Sequence, residues 1–201
     1  MKNVLITRQK TAFEKNLSKI FIREGYNVFF SGAVNASENP CDKIDIYIDV
    51  SDEKNAADTF SIRDGLDETV IKKVYKANVI KPMRTLEKYL PLLDAGDGKR
   101  LCFLTSAEAS INETRDISGY AYKLSKAAMH NFFQMVSNRL TPNGYTFRVF
   151  DPMHKETDAK ASAEAAFNYF TRRRGTENDD IKRDDENRLV FRDALGREHT
   201  W

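Results

Sequence analysis

Tyr122 and Lys126 stand four positions apart in a stretch, Gly119 to Leu140, that carries Met129, Phe132, Phe133, Val136 and Leu140 at helical spacing. Four residues make about one helical turn, so the two side chains fall on one face. An ammonium beside a phenol favours the phenolate and lowers its pKa, and a Tyr tuned in this way can give or take a proton near neutral pH. Taken alone the spacing is weak, because Tyr and Lys lie four apart by chance in many helices, where the pair is merely structural. Tyr120, six positions from Lys126, faces elsewhere. Metal chemistry has no comparable signal: His130, His154 and His199 lack ligand spacing and read as structural or surface residues, and Cys41 and Cys102 form no CxxC pair.

The elements that must hold this pair read as strands alternating with helices. Val4 to Thr7 is a short β-prone run, Phe13, Leu17, Ile20 and Phe21 follow at helical spacing, Gly25 sits at a C-cap position and Tyr26 to Phe30 gives a second strand. Ile44 to Ile48 is a third strand. A helical run then starts near Asp67, presents Leu86, Tyr89, Leu90 and Leu93 on one face, and stops at Gly96 and Gly98. Arg100 to Thr105 reads as a buried strand, Pro142-Asn143-Gly144 as a turn, Tyr145 to Phe150 as a strand, Ala161 to Arg173 as a helix and Leu189 to Phe191 as a last strand. About seven strands with four or five helices make the pattern of a doubly wound parallel sheet in three α/β/α layers. The charge-dense stretch from Arg172 to Arg188, centred on 174–187, reads as a solvated loop.

Composition is that of a globular chain forming one domain over 1–201. It has 201 residues, 32 basic against 30 acidic side chains for a net charge of +2, and 41% hydrophobic content. Near-neutral charge argues against nucleic acid as a partner, and no apolar run is long enough to span a bilayer. Two distant cysteines and no signal-like leader give a cytoplasmic expectation. Only 9 glycines occur.

In order along the chain, several further segments join the Tyr-Lys pair. Ser106 ends the strand Leu101 to Thr105, Ala77-Asn78-Val79 precedes the Leu90-Pro91-Leu92 helix, Pro152 to Asp158 includes Thr157, and Gly196 to Trp201 closes the chain. With these segments the sequence resembles the short-chain dehydrogenase/reductase family. Ser106 lies sixteen positions before Tyr122, and with Ser110-Ile111 and Tyr120-Ala121-Tyr122 this is similar to the branch related to C-factor. The resemblance implies a Rossmann-like fold and a small-molecule carbonyl or alcohol substrate. It makes Tyr122 the general acid/base, Lys126 the group that lowers its pKa and holds a nicotinamide ribose, Ser106 the donor to the substrate oxygen and Asn78 the orderer of a relay water. It further implies NAD(P), with Thr7 and Thr157 flanking it, and a homodimer or homotetramer formed through the helices around Leu86 and Phe132.

The cofactor half departs from the family. Where its first loop has Gly-x-x-x-Gly-x-Gly, this chain has Arg8, Ala12 and Glu14. Glu14 places negative charge at a helix start where a phosphate would sit, and Arg8 and Lys10 are the side chains able to meet a phosphate, although solvated surface charge is the commoner role. Asp49-Val50-Ser51-Asp52 stands in for Asn-Asn-Ala-Gly, and the thirteen residues between Phe30 and Ile44, numbers 31–43, are too few for the usual helix, strand and helix, so the sheet should lack about one strand. Three readings stay open: an SDR-type oxidoreductase using NAD(P), a scaffold-only protein that has lost NAD(P) binding, and a cofactor-independent acid/base enzyme.

Overall fold

The computed structural model describes residues 1–31, 41–60, 62–63, 65–153, 157–172, 185 and 188–201. Along the chain run β1 (Asn3–Ile6), α1 (Ala12–Arg23), β2 (Asn27–Phe30), β3 (Ile46–Asp49) and α2 (Glu68–Tyr75), then five π-helical residues, Lys76–Ile80, that lead straight into α3 (Lys81–Asp94). They are followed by β4 (Arg100–Leu104), α4 (Tyr120–Leu140), β5 (Thr146–Asp151), α5 (Ala159–Thr171) and β6 (Phe191–Asp193). The strands form one parallel sheet in the order β2-β1-β3-β4-β5-β6.

Alternation within these short strands sorts the core into two faces. Val4, Ile6, Ile46 and Ile48 point to one side and pack with Phe13, Leu17 and Phe21 of α1 and Ala163, Ala166 and Phe170 of α5. Leu5, Tyr47, Leu101 and Phe103 point to the other, against Leu86, Tyr89 and Leu93 of α3 and Met129 and Phe133 of α4. The result is the expected three-layer α/β/α fold. Burial of both faces explains why the strand sequences run as near-continuous apolar stretches.

The strand count, the start of the last strand and the burial of Asp185 differ from the sequence-based expectation. Six strands occur among the described residues rather than about seven, and β2 forms the sheet edge, as the short 31–43 connection implies; residues 32–40 of that connection lie outside the described ones. The last strand begins at Phe191 rather than Leu189, because Leu189 and Val190 are buried by packing but make no ladder bonds. Within the charged 174–187 segment the one described residue, Asp185, is buried rather than solvated: its carboxylate pairs with Arg192 at 2.7 Å and its carbonyl accepts from Arg148 at 2.8 Å. The rest of that segment lies outside the described residues. Among the described residues no helix is long and apolar enough to cross a membrane.

Function is placed by topology. The chain passes from β1 outward to β2 and then returns to β3 on the opposite side of β1, so the loops after β1 and β3 diverge and leave a crevice at the carboxyl ends of these strands. Thr7, Arg8 and Lys10 follow β1, and Ser51 and Asp52 follow β3.

Candidate active site

Four segments converge at that crevice. Tyr122 sits in the first turn of α4, whose start is fixed by Gly119 in the left-handed region at φ 78° and by the Asp58 carboxylate, which accepts from the amides of Ala121 at 3.1 Å and Tyr122 at 2.9 Å. Lys126 follows one turn later and is buried. Ser106 begins the turn after β4 and accepts from the Glu108 amide at 3.3 Å. Its hydroxyl also acts on the Tyr122 phenol, in the direction that lowers the phenol pKa. Asn78 lies in the π-helical turn, where one extra residue per turn displaces a side chain from the regular helical register. Buried there, its amide accepts from the Glu53 N–H at 2.8 Å, donates to the Glu53 carbonyl at 2.9 Å and donates to Ser125 Oγ at 3.0 Å. These bonds lock the loop after β3 to α4.

An aspartate completes the cluster. The Tyr122 hydroxyl donates to Asp52 Oδ1 at 2.7 Å, and Lys126 Nζ lies 3.1 Å from the same oxygen. Lys126 also donates to the carbonyls of Ser51 at 2.7 Å and Leu104 at 3.5 Å. An ammonium has three protons, so these three acceptors satisfy it. Burial would raise the Asp52 pKa, but the Lys126 charge, the Tyr122 hydrogen bond and the Lys126 hydrogen bond outweigh it and hold the carboxyl below its ordinary value. The phenol responds in the opposite sense: burial first, then the charge and hydrogen bond of Asp52, push the Tyr122 pKa above that of a free Tyr, with Ser106 opposing. Asp52 thus accepts from both the Tyr122 hydroxyl and the Lys126 ammonium, and its charge and hydrogen bond raise the phenol pKa.

A second carboxylate occupies the turn after β1. Glu14 is 2% exposed and accepts from Arg8 Nη2 at 2.7 Å and Nε at 3.0 Å, from the Thr11 amide at 3.1 Å, and from the Lys10 amide. Thr11 Oγ1 in turn accepts from the Glu14 amide, which completes a capping box. Burial alone would raise the Glu14 pKa, yet the Arg8 side chain and the two amides hold it below its ordinary value. In this fold the amides at the start of the first helix face a phosphate. Here they face the chain's own carboxylate.

The remaining expected residues divide. Thr7 Oγ1 accepts from the Val50 amide at 3.1 Å and braces the two loops. Thr7, Arg8, Lys10, Asp52 and Asn78 line one cleft of about 530 Å³, continued by Lys81 and Lys88. Thr157 is not brought to it: its hydroxyl donates to the carbonyls of Pro152 at 3.0 Å and Met153 at 3.1 Å, and residues 154–156 before it lie outside the described ones. On the outer side of Tyr122 a smaller cavity of about 310 Å³ is walled by Lys54, Asp58, Glu108, Asp116 and Lys123. Lys54 Nζ stands 4.3 Å above the Tyr122 ring and 3.2 Å from Glu108. His130 is buried, and burial together with the Lys126 charge lowers its pKa to about 4, so it is neutral at pH 7. Among the described residues no group of three or more His, Cys, Asp or Glu could hold a metal ion.

Sequence reasoning missed Asp52, Lys54 and Asp58 as parts of this cluster. For Asp52 a signal existed, since an acidic residue replaces the Gly of the similar segment at a loop that faces the site. Asp58 and Lys54 carry no comparable mark. In the arrangement seen, a dinucleotide would have to displace Glu14 from the Lys10 and Thr11 amides and Asp52 from Lys126.

No family model matches this chain. Over 84 residues it is 34% identical to an uncharacterized oxidoreductase of Saccharomyces cerevisiae, a match covering 42% of this chain and 33% of the relative. Over 93 residues it is 29% identical to C-signal of Myxococcus xanthus, covering 46% of this chain and 56% of the relative. The matches thus span between a third and just over half of these relatives. A putative short-chain alcohol dehydrogenase from Burkholderia multivorans superposes with a TM-score of 0.77 at 13% identity, covering 100% of this chain and 99% of the other. A putative short-chain dehydrogenase/reductase from the same organism, solved with bound NADP, gives a TM-score of 0.72 at 13% identity over 100% and 99% of the two chains.

Because the Glu14 pKa is lowered on folding, the stability it contributes is complete above its ordinary value of 4.5 and is lost as the pH falls through the lower folded-state value. Urea denaturation at a series of pH values should therefore show wild type more stable than Glu14→Gln at neutral pH, with the gap closing below about pH 4.5. A gap independent of pH would show that the Glu14 charge does not hold the turn.

Proposed function

Given a chain with the fold of the short-chain dehydrogenases/reductases and a sequence relationship to C-signal and to oxidoreductases, we propose that it acts as an oxidoreductase of that type on a small polar carbonyl or alcohol. The observation that carries this reading is the convergence of Ser106, Tyr122, Lys126 and Asn78, from three separate segments (α4, the turn after β4 and the π-helical turn), beside the carboxyl ends of β3 and β4. A surface helix with a chance Tyr-Lys pair would have no reason to bury the Lys and tie its neighbour Ser125 to an Asn in a π-helical turn.

The proton chemistry follows from the positions. A carbonyl oxygen placed against Ser106 and Tyr122 meets two hydroxyl donors where negative charge would develop on reduction, and Tyr122 delivers the proton. In the reverse direction the Tyr122 phenolate would accept it. Either step requires the Tyr122 hydroxyl to turn from Asp52 to the substrate. Lys54, Asp58, Glu108, Asp116 and Lys123 make the adjoining 310 Å³ cavity polar and suit it to a small hydrophilic molecule rather than a long alkyl chain. We assign the redox step to NAD(P), on the strength of the solved neighbours with bound NADP and NAD. The chain's own residues supply the proton and orient the oxygen.

A specific observation favours a second reading, in which the scaffold persists without turnover: Glu14 fills the turn that a phosphate would need. The two readings part on assay. With NADH or NADPH and a panel of small polar aldehydes and ketones, the proposal expects turnover that Tyr122→Phe lowers by about 10²-fold or more while leaving the melting temperature within a few degrees. Absence of turnover across the panel, or an undiminished rate in Tyr122→Phe, would overturn it.

Self-association belongs to the same proposal. The outer face of α3 and α4 is an apolar groove of about 880 Å³ on which Ile80, Met83 and Met135 are exposed beside Leu86 and Phe132. A second copy meeting this face would bury these side chains, so light scattering should give a dimer or tetramer mass and Met135→Glu a monomer. A wild-type monomer at micromolar concentration would contradict the assignment.

A further inference from the structure

The two carboxylates of the crevice have a common property that neither sequence motif nor fold supplies. Glu14 accepts from the amides and the guanidinium at the phosphate end, and Asp52 accepts from Lys126 and Tyr122 at the chemical end. Each is largely or wholly withdrawn from water, each is paired with a cation on its own chain, and each occurs where the similar family segment has a glycine. A glycine offers no acceptor, so in a chain with glycines at these points the amides, the Lys ammonium and the phenol would face an open crevice. In this chain they are already bound.

We infer that Glu14 and Asp52 are specificity-determining residues that act as internal acceptors, competing with a dinucleotide for the phosphate-facing amides and for the Lys126 and Tyr122 donors. The inference rests on the oxidoreductase reading for the identity of the competitor. Its physical basis is separate.

Competition follows from counting donors. For a ribose hydroxyl to accept a hydrogen bond from Lys126, one of Ser51, Leu104 or Asp52 must give up its place, and Asp52 is the only side chain among them. Displaced, it leaves a partly buried carboxylate with fewer partners, a cost that direct binding must overcome. At the other end, a pyrophosphate approaching the Lys10 and Thr11 amides meets the Glu14 negative charge first, and like charges in a partly desolvated turn repel. Arg8 cannot compensate while it is engaged at 2.7 Å with Glu14. The two ends act on different parts of one ligand, so relief at both should combine. Lys10, Lys81 and Lys88 on the walls of the same cleft remain as cations for an anionic ligand once the internal acceptors are removed.

Calorimetric titration of NADH and NADPH into the full chain tests this. Four variants are compared with wild type: Asp52→Gly, Asp52→Asn, Glu14→Gln, and the double change of Asp52→Asn with Glu14→Gln. Glutamine keeps the capping-box geometry and asparagine nearly the side-chain volume, so these two preserve the fold if the glycine variant does not. The expected result is a dissociation constant lower by about tenfold or more in Asp52→Asn and in Glu14→Gln, and lower still in the double variant. Equal affinity in wild type and in folded variants, or no binding by any of them, would overturn the inference. If the variants bind tightly yet none of the proteins reduces a carbonyl, the competition stands and the oxidoreductase reading falls. If wild type binds as tightly as the variants and turns over, the reading stands and the competition falls.

Discussion

One oxygen, Asp52 Oδ1, receives both the Tyr122 hydroxyl and the Lys126 ammonium, and the arrangement of the crevice depends on it. Lys126 is buried in the second turn of α4, where an unpaired ammonium would carry a desolvation cost of several kcal/mol. Asp52 offsets that cost, and two backbone carbonyls complete the shell. Held in this way, the Lys ties α4 to the loop after β3 and to the end of β4. Asn78 closes the same loop from the other side through Glu53 and reaches α4 through Ser125. The cluster is thus both the chemical centre and the joint between three elements of the sheet's helix-covered face.

The Arg8–Glu14 pair performs the corresponding task at the other end of the crevice. An α-helix that starts directly after a strand leaves amides without intrahelical acceptors, and most dinucleotide-binding folds of this type leave them for a phosphate. Here Thr11 and Glu14 form a capping box, and Arg8 neutralises the carboxylate while reaching the Val50 carbonyl at 3.2 Å. The fold therefore stands without a ligand at either end. The same self-sufficiency raises the threshold for any ligand that needs those donors.

Much of this was legible in the sequence. Short β-prone apolar runs at Val4 to Thr7 and Ile44 to Ile48, the apolar spacing of α1, α3 and α4, and the thirteen-residue connection after Phe30 led to a parallel three-layer sheet with a strand missing, because each reflects local pattern or chain length. The convergence of Asn78, Ser106, Tyr122 and Lys126 was legible through resemblance rather than periodicity. What escaped were contacts between residues remote in sequence: Asp52 reaches Tyr122 across seventy positions, and Asp58 caps a helix sixty-three positions away. No spacing rule reports such pairs, so the Asp52 partner of Lys126 was not foreseen. Glu14 was legible as a negative charge at a helix start, but its bonds to Arg8 and to two amides depended on the turn geometry.

The central claim is that Asp52 and Lys126 hold one another in the folded chain. A double-mutant cycle tests it most directly, with the unfolding free energies of wild type, Asp52→Asn, Lys126→Met and the double variant measured by urea denaturation. The account expects each single change to destabilise and the double change to cost less than their sum, by a coupling on the order of 1–3 kcal/mol. Effects that add within about 0.5 kcal/mol would mean that the two groups do not interact, and the self-liganded crevice would have to be abandoned.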